Sequence, residues 1–421
     1  MSEYKSDNDL SVSRGLAVFG LMALTPILAV FLPWDFGPIE SDYRKLIAGN
    51  SLAVILVELF VFIVLLKNEN LISDFVKKLD LNDKIVGSVF ILASTYSLFY
   101  VSSVKSLFIL GFLAILIHVL FTISLFKNAK YVAERTQNYF WIILGVSVVV
   151  YTALWAIDFL IFPPTTEDWI DRVPGVTNIR WAGFFWLSVF AAGFALIKTP
   201  GAKSFALALF FGAFGLTMTL WTGTRGSLVA IIFGAICSII FAPTYRKSIV
   251  KYCIASAAVA ILINIYASVP HVQYGIDRII SRGQPAEMIE RGGSGRTTLW
   301  KHTAEISLNH PVVGHGIDQF QKMGPKETLG FKGPHSFLLQ LLFSVGVVGI
   351  LSILYGTSRF LQSYRLEVHR PHQLAAFVFF SGGCLYAVYD NFGYYPYPIA
   401  IFTLSVFMLF KPRDEAGRLS A

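Results

Sequence analysis

Residues 107–126 read LFILGFLAILIHVLFTISLF, an apolar run flanked by Lys105 and Lys127 and free of Asp, Glu, Lys and Arg. Hydrocarbon about 30 Å thick takes about 20 such residues in a helix, whose amides and carbonyls satisfy one another where no water reaches. The run therefore reads as a membrane span, and it is one of twelve. The others begin near Leu16, Leu46, Ile85, Tyr139, Trp181, Ser204, Ser227, Ile249, Ser336, Gln373 and Tyr395. Spans three and four are parted only by Ser102 to Ser106, and seven and eight only by Thr222 to Gly226, so both pairs are expected to form tight helical hairpins.

Composition points the same way. The 421 residues are 55% hydrophobic and 14% charged, where soluble domains carry about 25% charged residues. A soluble protein is excluded, and the expected fold is one all-α polytopic membrane domain over residues 1–421. The net charge of +8 is no sign of nucleic acid, because cations in a membrane protein must first be sorted by side. With the N-terminus inside, the seven inner segments hold 20 Lys and Arg and the short outer loops hold six. That bias places both termini in the cytoplasm. The first apolar stretch lacks a small-residue cleavage site and is expected to stay as the first span. Cys237, Cys253 and Cys384 fall inside apolar runs and read as packing residues rather than disulfide partners.

The remaining eight cations lie in residues 268–334, an outer segment long enough to escape the charge rule and the only place for a soluble subdomain. Val272 to Glu290 mixes isoleucines with charges, and Arg296 to Asn309 sets Leu299, Trp300, Thr303, Ala304 and Leu308 at helical spacing. Two short amphipathic helices are expected over the outer membrane face, joined by the flexible Gly292-Gly-Ser-Gly295.

Several residues here could carry chemistry. Arg225 sits in the turn Thr222-Gly-Thr-Arg-Gly-Ser227 on the outer side. It either holds an anion through bidentate bonds or snorkels to headgroups. Arg296 opens the second loop helix with Trp300 four residues on, and Arg278, Arg282 and Arg291 lie just upstream. His335, in Gly333-Pro-His-Ser336, stands where the loop re-enters the membrane. It can act as a base near neutral pH or bond to a carbonyl at the interface. Asp390, before Asn391-Phe-Gly-Tyr-Tyr395, can orient a histidine or an arginine, while Tyr394, Tyr395 and Tyr397 read as an aromatic belt. His302, His310 and His315 lack compact metal-ligand spacing. Glu167-Asp168-Trp-Ile-Asp171 reads as a solvated acidic loop, and Asp7-Asn-Asp9 lies in a tail. Glu58 and Asp158 are too few within spans to suggest a proton relay.

Taken in order, Thr224-Arg225-Gly226, Gly295-Arg296-Thr-Thr-Leu-Trp300, Asn309-His-Pro-Val-Val-Gly-His-Gly316, His335-Ser336 and Gly346-Val-Val-Gly349 resemble the O-antigen ligase superfamily. That group comprises lipopolysaccharide O-antigen ligases, O-antigen polymerases and protein O-oligosaccharyltransferases. One departure is Ser336, where asparagine is frequent in the family. The resemblance implies an inner-membrane glycosyltransferase with a periplasmic site, a glycan donor on undecaprenyl diphosphate, and an acceptor most simply read as lipid A-core. It implies no metal or other cofactor and no nucleic acid; the partners are the two lipid-linked substrates and membrane lipids. Residues matching Arg225 and Arg296 would bind the donor diphosphate and one matching His335 would activate the acceptor hydroxyl, with Arg278, Arg282, Arg291 and Asp390 as possible support. Two rival expectations are a lipid-linked glycan flippase with the basic loop as gate or headgroup binder, and a metal-dependent glycosyltransferase relying on Asp168.

Overall fold

The structure, a computed structural model, describes residues 15–32, 49–65, 70–102, 105–128, 134–162, 173, 179, 181–197, 202–270, 274–280, 296–317, 319–323, 333–390 and 395–413. Long apolar runs without internal proline fold as helices, and these dominate. A helical stretch over 15–23 leads into α1 (Thr25–Phe31); α2 (Gly49–Phe60), the surface helix α3 (Leu71–Lys78), α4 (Leu81–Tyr96), α5 (Lys105–Lys127) and α6 (Glu134–Ile161) follow. Next come α7 (Gly183–Phe194), α8 (Ala202–Trp221), α9 (Arg225–Phe241) and α10 (Arg246–Tyr266). The long loop contributes α11 (Gly275–Ile279) and α12 (Arg296–Ser307), and the chain closes with α13 (Phe337–Ser363), α14 (Pro371–Tyr389) and α15 (Pro396–Leu409).

Each of the twelve apolar runs carries helix. Among the described residues, six helices are long and apolar enough to cross a membrane, and four shorter apolar ones accompany them. The helices at the first and eleventh runs meet neither description; the polar pair His372-Gln373 opens the eleventh. The second expected loop helix is present as α12. Of the first, only α11 is seen; its remainder past Ile280, with Arg282, Arg291 and the Gly292 to Gly295 joint, lies outside the described residues, as do Asp7, Asp9 and the Glu167 to Asp171 cluster.

Helix α7 is the centre: all of its residues are buried, among α6, α8, α9 and α14. Glycines set the closest approaches. A Cβ on Gly234 of α9 would lie 2.5 Å from the Val378 carbonyl oxygen, and one on Gly382 of α14 would lie 2.6 Å from that of Ala230. Gly226 likewise sits against the Tyr386 ring. Each step of four along α9 is matched by a step of four back along α14, so the two helices run antiparallel on a small-residue seam. That register brings the first turn of α9 beside the last turn of α14.

On the flank, α4 has no buried residue over Leu81–Tyr96 and packs against α13. Arg359 clamps them, with Nη2 2.8 Å from Asp80 and Nε 3.3 Å from Asp83. Within the bundle, buried Glu58 lies 2.6 Å from His118 Nδ1, whose Nε2 reaches Thr403 at 3.0 Å. This polar tie joins α2, α5 and α15. Two short strands, β1 (Tyr364–Leu366) and β2 (Phe410–Pro412), pair antiparallel and link the ends of α13 and α15. Tyr395 and Tyr397 correct the aromatic-belt expectation. Both are buried; Tyr395 packs on Trp181 with ring centroids 4.1 Å apart, and Tyr397 lies 3.1 Å from Ser188 Oγ. A phenol that finds an internal partner is better placed in the core than at a headgroup. The thiols are free, with Cys237 and Cys253 half-buried and Cys384 exposed.

Helix α13 is broken at Gly346 (φ 59°, ψ −165°). The break frees the carbonyls of Phe343 and Ser344 and the amides of Val347 and Val348, which an unbroken helix would pair. A loop from the end of α12 takes their place. His315 and Gly316 donate their amides to Phe343 and Ser344 (2.6 and 3.0 Å), and Val347 and Val348 donate to Pro311 and Val312 (2.9 and 3.1 Å). Without that loop each of these backbone groups would lose its hydrogen-bond partner within the protein. Only glycine fits the joint: Gly314 and Gly346 both have positive φ, and a Cβ on either would lie 2.5 Å from backbone of the other strand of the joint.

Candidate functional site

The site forms where α9 begins and α14 ends. Thr224 precedes α9, and Arg225, expected within a turn, is instead the first helical residue. Its guanidinium donates from Nε (3.2 Å) and from Nη2 to the carbonyl of Arg278. That carbonyl sits at the end of α11. The Arg278 side chain in turn lies across Gly223, where an added Cβ would stand 2.5 Å from its Cδ. Arg225 and Arg278 thus meet at the α8–α9 turn.

Arg296 is the first residue of α12. Its Nη1 donates to the Tyr389 carbonyl at 2.7 Å, and its Nη2 lies 3.9 Å from Asp390 Oδ2. The other oxygen of that carboxylate, Oδ1, lies 3.2 Å from His335 Nδ1. Asp390 is 8% exposed at its side chain, and His335 and Arg296 are 31% exposed. A largely buried carboxylate is therefore shared between a cation and an imidazole that both reach the surface.

His335 is the sole non-glycine residue with positive φ among the described residues (φ 49°). A side chain in that region costs roughly 1–3 kcal/mol and persists where its surroundings over-determine it. Here the conformation turns the chain from Gly333-Pro334 into α13, with Ser336 at the helix start and no side-chain cap bond from it. The imidazole is oriented by Asp390. An Nδ1–H given to a carboxylate places the basic lone pair on Nε2.

The arginine pair and the Arg296–Asp390–His335 group are joined through Tyr386. Its ring packs on Gly226, next to Arg225, and its carbonyl accepts the Asp390 amide at 2.9 Å. The Ile306 carbonyl of α12 lies 3.1 Å from His315 Nε2, while the His315 ring lies flat on Phe343 at 4.5 Å. Burial and the neighbouring His310 lower the His315 pKa from its ordinary 6.5, against the opposing pull of the Ile306 bond. Leu299, Ile306, Phe320 and Phe343 form a second small core there. Arg296 and His335 therefore ride on one braced unit, and Arg225 and Asp390 on the α9–α14 seam. Among the described residues, no three His, Cys, Asp or Glu side chains gather as a metal would require.

Of the sequence candidates, His335, Arg296 and Asp390 come together, Arg225 and Arg278 form the adjoining pair, and Arg282 and Arg291 lie outside the described residues. Sequence reasoning missed Tyr386 and the Tyr389 carbonyl; the small-residue spacing Gly226, Ala230, Gly234 was the available signal for the first.

An arginine-rich, histidine-bearing group of side chains at one end of a bundle of apolar helices defines the class: a polytopic, all-α membrane protein. Residues 207–354 match the family model described as O-antigen ligase. That match supports the O-antigen ligase superfamily for this chain and bears out the resemblance read from its motifs. No curated protein matches the sequence.

Proposed function

We propose that the protein is a periplasm-facing, metal-independent inverting glycosyltransferase of the inner membrane. It moves a preassembled O-antigen glycan from undecaprenyl diphosphate to a hydroxyl of lipid A-core. The observation that carries this reading is the Asp390 carboxylate set between His335 and Arg296.

Breaking the bond between the anomeric carbon and the diphosphate oxygen leaves negative charge on the diphosphate. Arg225 and Arg296, with Arg278 beside them, stabilise that charge by bidentate, charge-assisted bonds. His335 Nε2 takes the proton of the acceptor hydroxyl as its oxygen bonds to the anomeric carbon on the face opposite the leaving group. The configuration inverts, undecaprenyl diphosphate departs with the electron pair, and Asp390 stabilises the imidazolium. A general acid is unnecessary for so good a leaving group.

The test is a lipopolysaccharide gel from a ligase-deficient bacterium with matching glycan and core, expressing the wild type or His335→Ala at equal membrane level. A ladder restored by the wild type alone supports ligation with His335 as base. A ladder with both removes the base. A ladder with neither, given compatible glycan and core, moves an O-antigen polymerase or protein O-oligosaccharyltransferase ahead, and a flippase after them.

A further inference from the structure

A base that is always strong would activate hydroxyls whether or not a donor was present. The geometry around Asp390 contains a way to avoid this. Its two oxygens serve different partners, Oδ1 facing His335 Nδ1 at 3.2 Å and Oδ2 facing Arg296 Nη2 at 3.9 Å. The second distance is an ion pair too long for a hydrogen bond. The shorter bond of Arg296 runs to an uncharged carbonyl, that of Tyr389, at 2.7 Å. A diphosphate oxygen pair offers the same guanidinium a bidentate, charge-assisted partner, which is roughly twice as strong as a neutral one.

We infer that Asp390 is an interlock: it shares its charge between Arg296 and His335 until a donor diphosphate draws Arg296 away, and then acts more strongly on the imidazole. This rests on the reading of Arg296 as a diphosphate ligand and His335 as base. While Arg296 stands beside the carboxylate, its positive charge offsets the field that would stabilise an imidazolium. Once the guanidinium turns to phosphate, that offset is gone and His335 becomes the stronger base. Because the carboxylate is almost wholly shielded from solvent, the change is only weakly screened. Asp390, at the end of α14, faces His335 directly, and Arg296, from α12, faces it through that carboxylate. The acidic residues that α4 brings to α13, Asp80 and Asp83, sit at its opposite end beside Arg359. The consequence for the reaction is order: the acceptor is activated most strongly when an anomeric carbon is in place to receive it.

The test follows the His335 titration by NMR in the full-length chain, carbon-labelled at histidine, in detergent micelles. The His335 signal is assigned by its loss in His335→Ala. Farnesyl diphosphate at saturation serves as the diphosphate probe. The wild-type His335 pKa should rise on order of one pH unit with the probe, the scale set by one nearby charge. Arg296→Gln should already show the raised value without the probe. Asp390→Asn should lose most of the rise. An undiminished rise in Asp390→Asn would mean that the phosphate acts on the imidazole directly, and the interlock is overturned; so does the absence of any rise in the wild type. The two layers fail separately. A lipopolysaccharide ladder that survives His335→Ala removes the base itself, whereas a lost ladder with no probe-dependent shift removes the interlock and keeps the base.

Discussion

Two regions hold the site in opposite ways. The α9–α14 seam is tight because side chains are missing: Gly234 and Gly382 let one helix reach the carbonyls of the other. The unit of α12 and the first half of α13 is tight because hydrogen bonds are missing from a helix and a loop supplies them, at Phe343, Ser344, Val347 and Val348. The first arrangement tolerates a little expansion, since packed helices can shift by fractions of an ångström. The second does not, because a misplaced loop strands polar backbone in apolar surroundings at roughly 1–3 kcal/mol per group. The difference teaches where precision is kept: His335, the proposed base, and Arg296 ride on the less forgiving unit.

The largest expected effect tests that ranking. Gly346→Val puts a branched side chain at φ 59° against the Val312 carbonyl, with an expected cost of about 3 kcal/mol or more. Gly234→Val should cost about 1–3 kcal/mol by overpacking. Thermal unfolding in detergent compares them, and a Gly234→Val protein less stable than Gly346→Val reverses the ranking. Next come the arginines. Arg225→Ala and Arg296→Ala should each lower glycan transfer by about 10²-fold or more, the usual loss for one donor to a developing anion. Arg278→Ala should lose less, and an equal or larger loss in a transfer assay would reassign the diphosphate contact. Arg225→Ala should also release α11, read as faster proteolysis within residues 268–334.

The smallest effect is a pH dependence of the braced unit. The His315 pKa is lowered by burial and by His310, so the unfolded state binds a proton more readily than the folded one. The stability tied to neutral His315 is complete above about 6.5 and is lost as pH falls through the lowered folded value. His315→Gln should flatten this slope in a melting series between neutral and acid pH; an unchanged slope would show that another group sets it.

Much of this architecture was legible in the chain. The apolar runs located the helices because hydrocarbon length and backbone satisfaction leave few alternatives. Arg296 and His335 stood out as polar residues at expected helix starts, and Arg225 as a cation in an expected turn that the structure shows to be the start of α9. Asp390 was legible as a candidate orienter of either partner, and the structure sets it beside both. The brace was hidden for a physical reason. Asn309 to Gly316 and Gly346 to Gly349 announce themselves as glycine-bearing motifs, but their pairing is made by backbone atoms, and no side-chain pattern encodes which backbone groups will meet. The burial of Tyr395 and Tyr397 was equally hidden. An aromatic near a span end reads alike whether it faces headgroups or Trp181 and Ser188, until the neighbouring helices are in place.

The interruption at Gly346 also separates the two ends of α13 mechanically. A continuous helix carries torsion along its ladder of hydrogen bonds, and a lever built that way would let the Arg359 clamp on Asp80 and Asp83 twist the imidazole at the far end. With the ladder handed to the loop from Pro311 to Gly316, the first half of α13 is tied to α12 rather than to its own second half. The aim of His335 is therefore set locally, by α12 and Asp390, rather than by the half of α13 that carries Arg359.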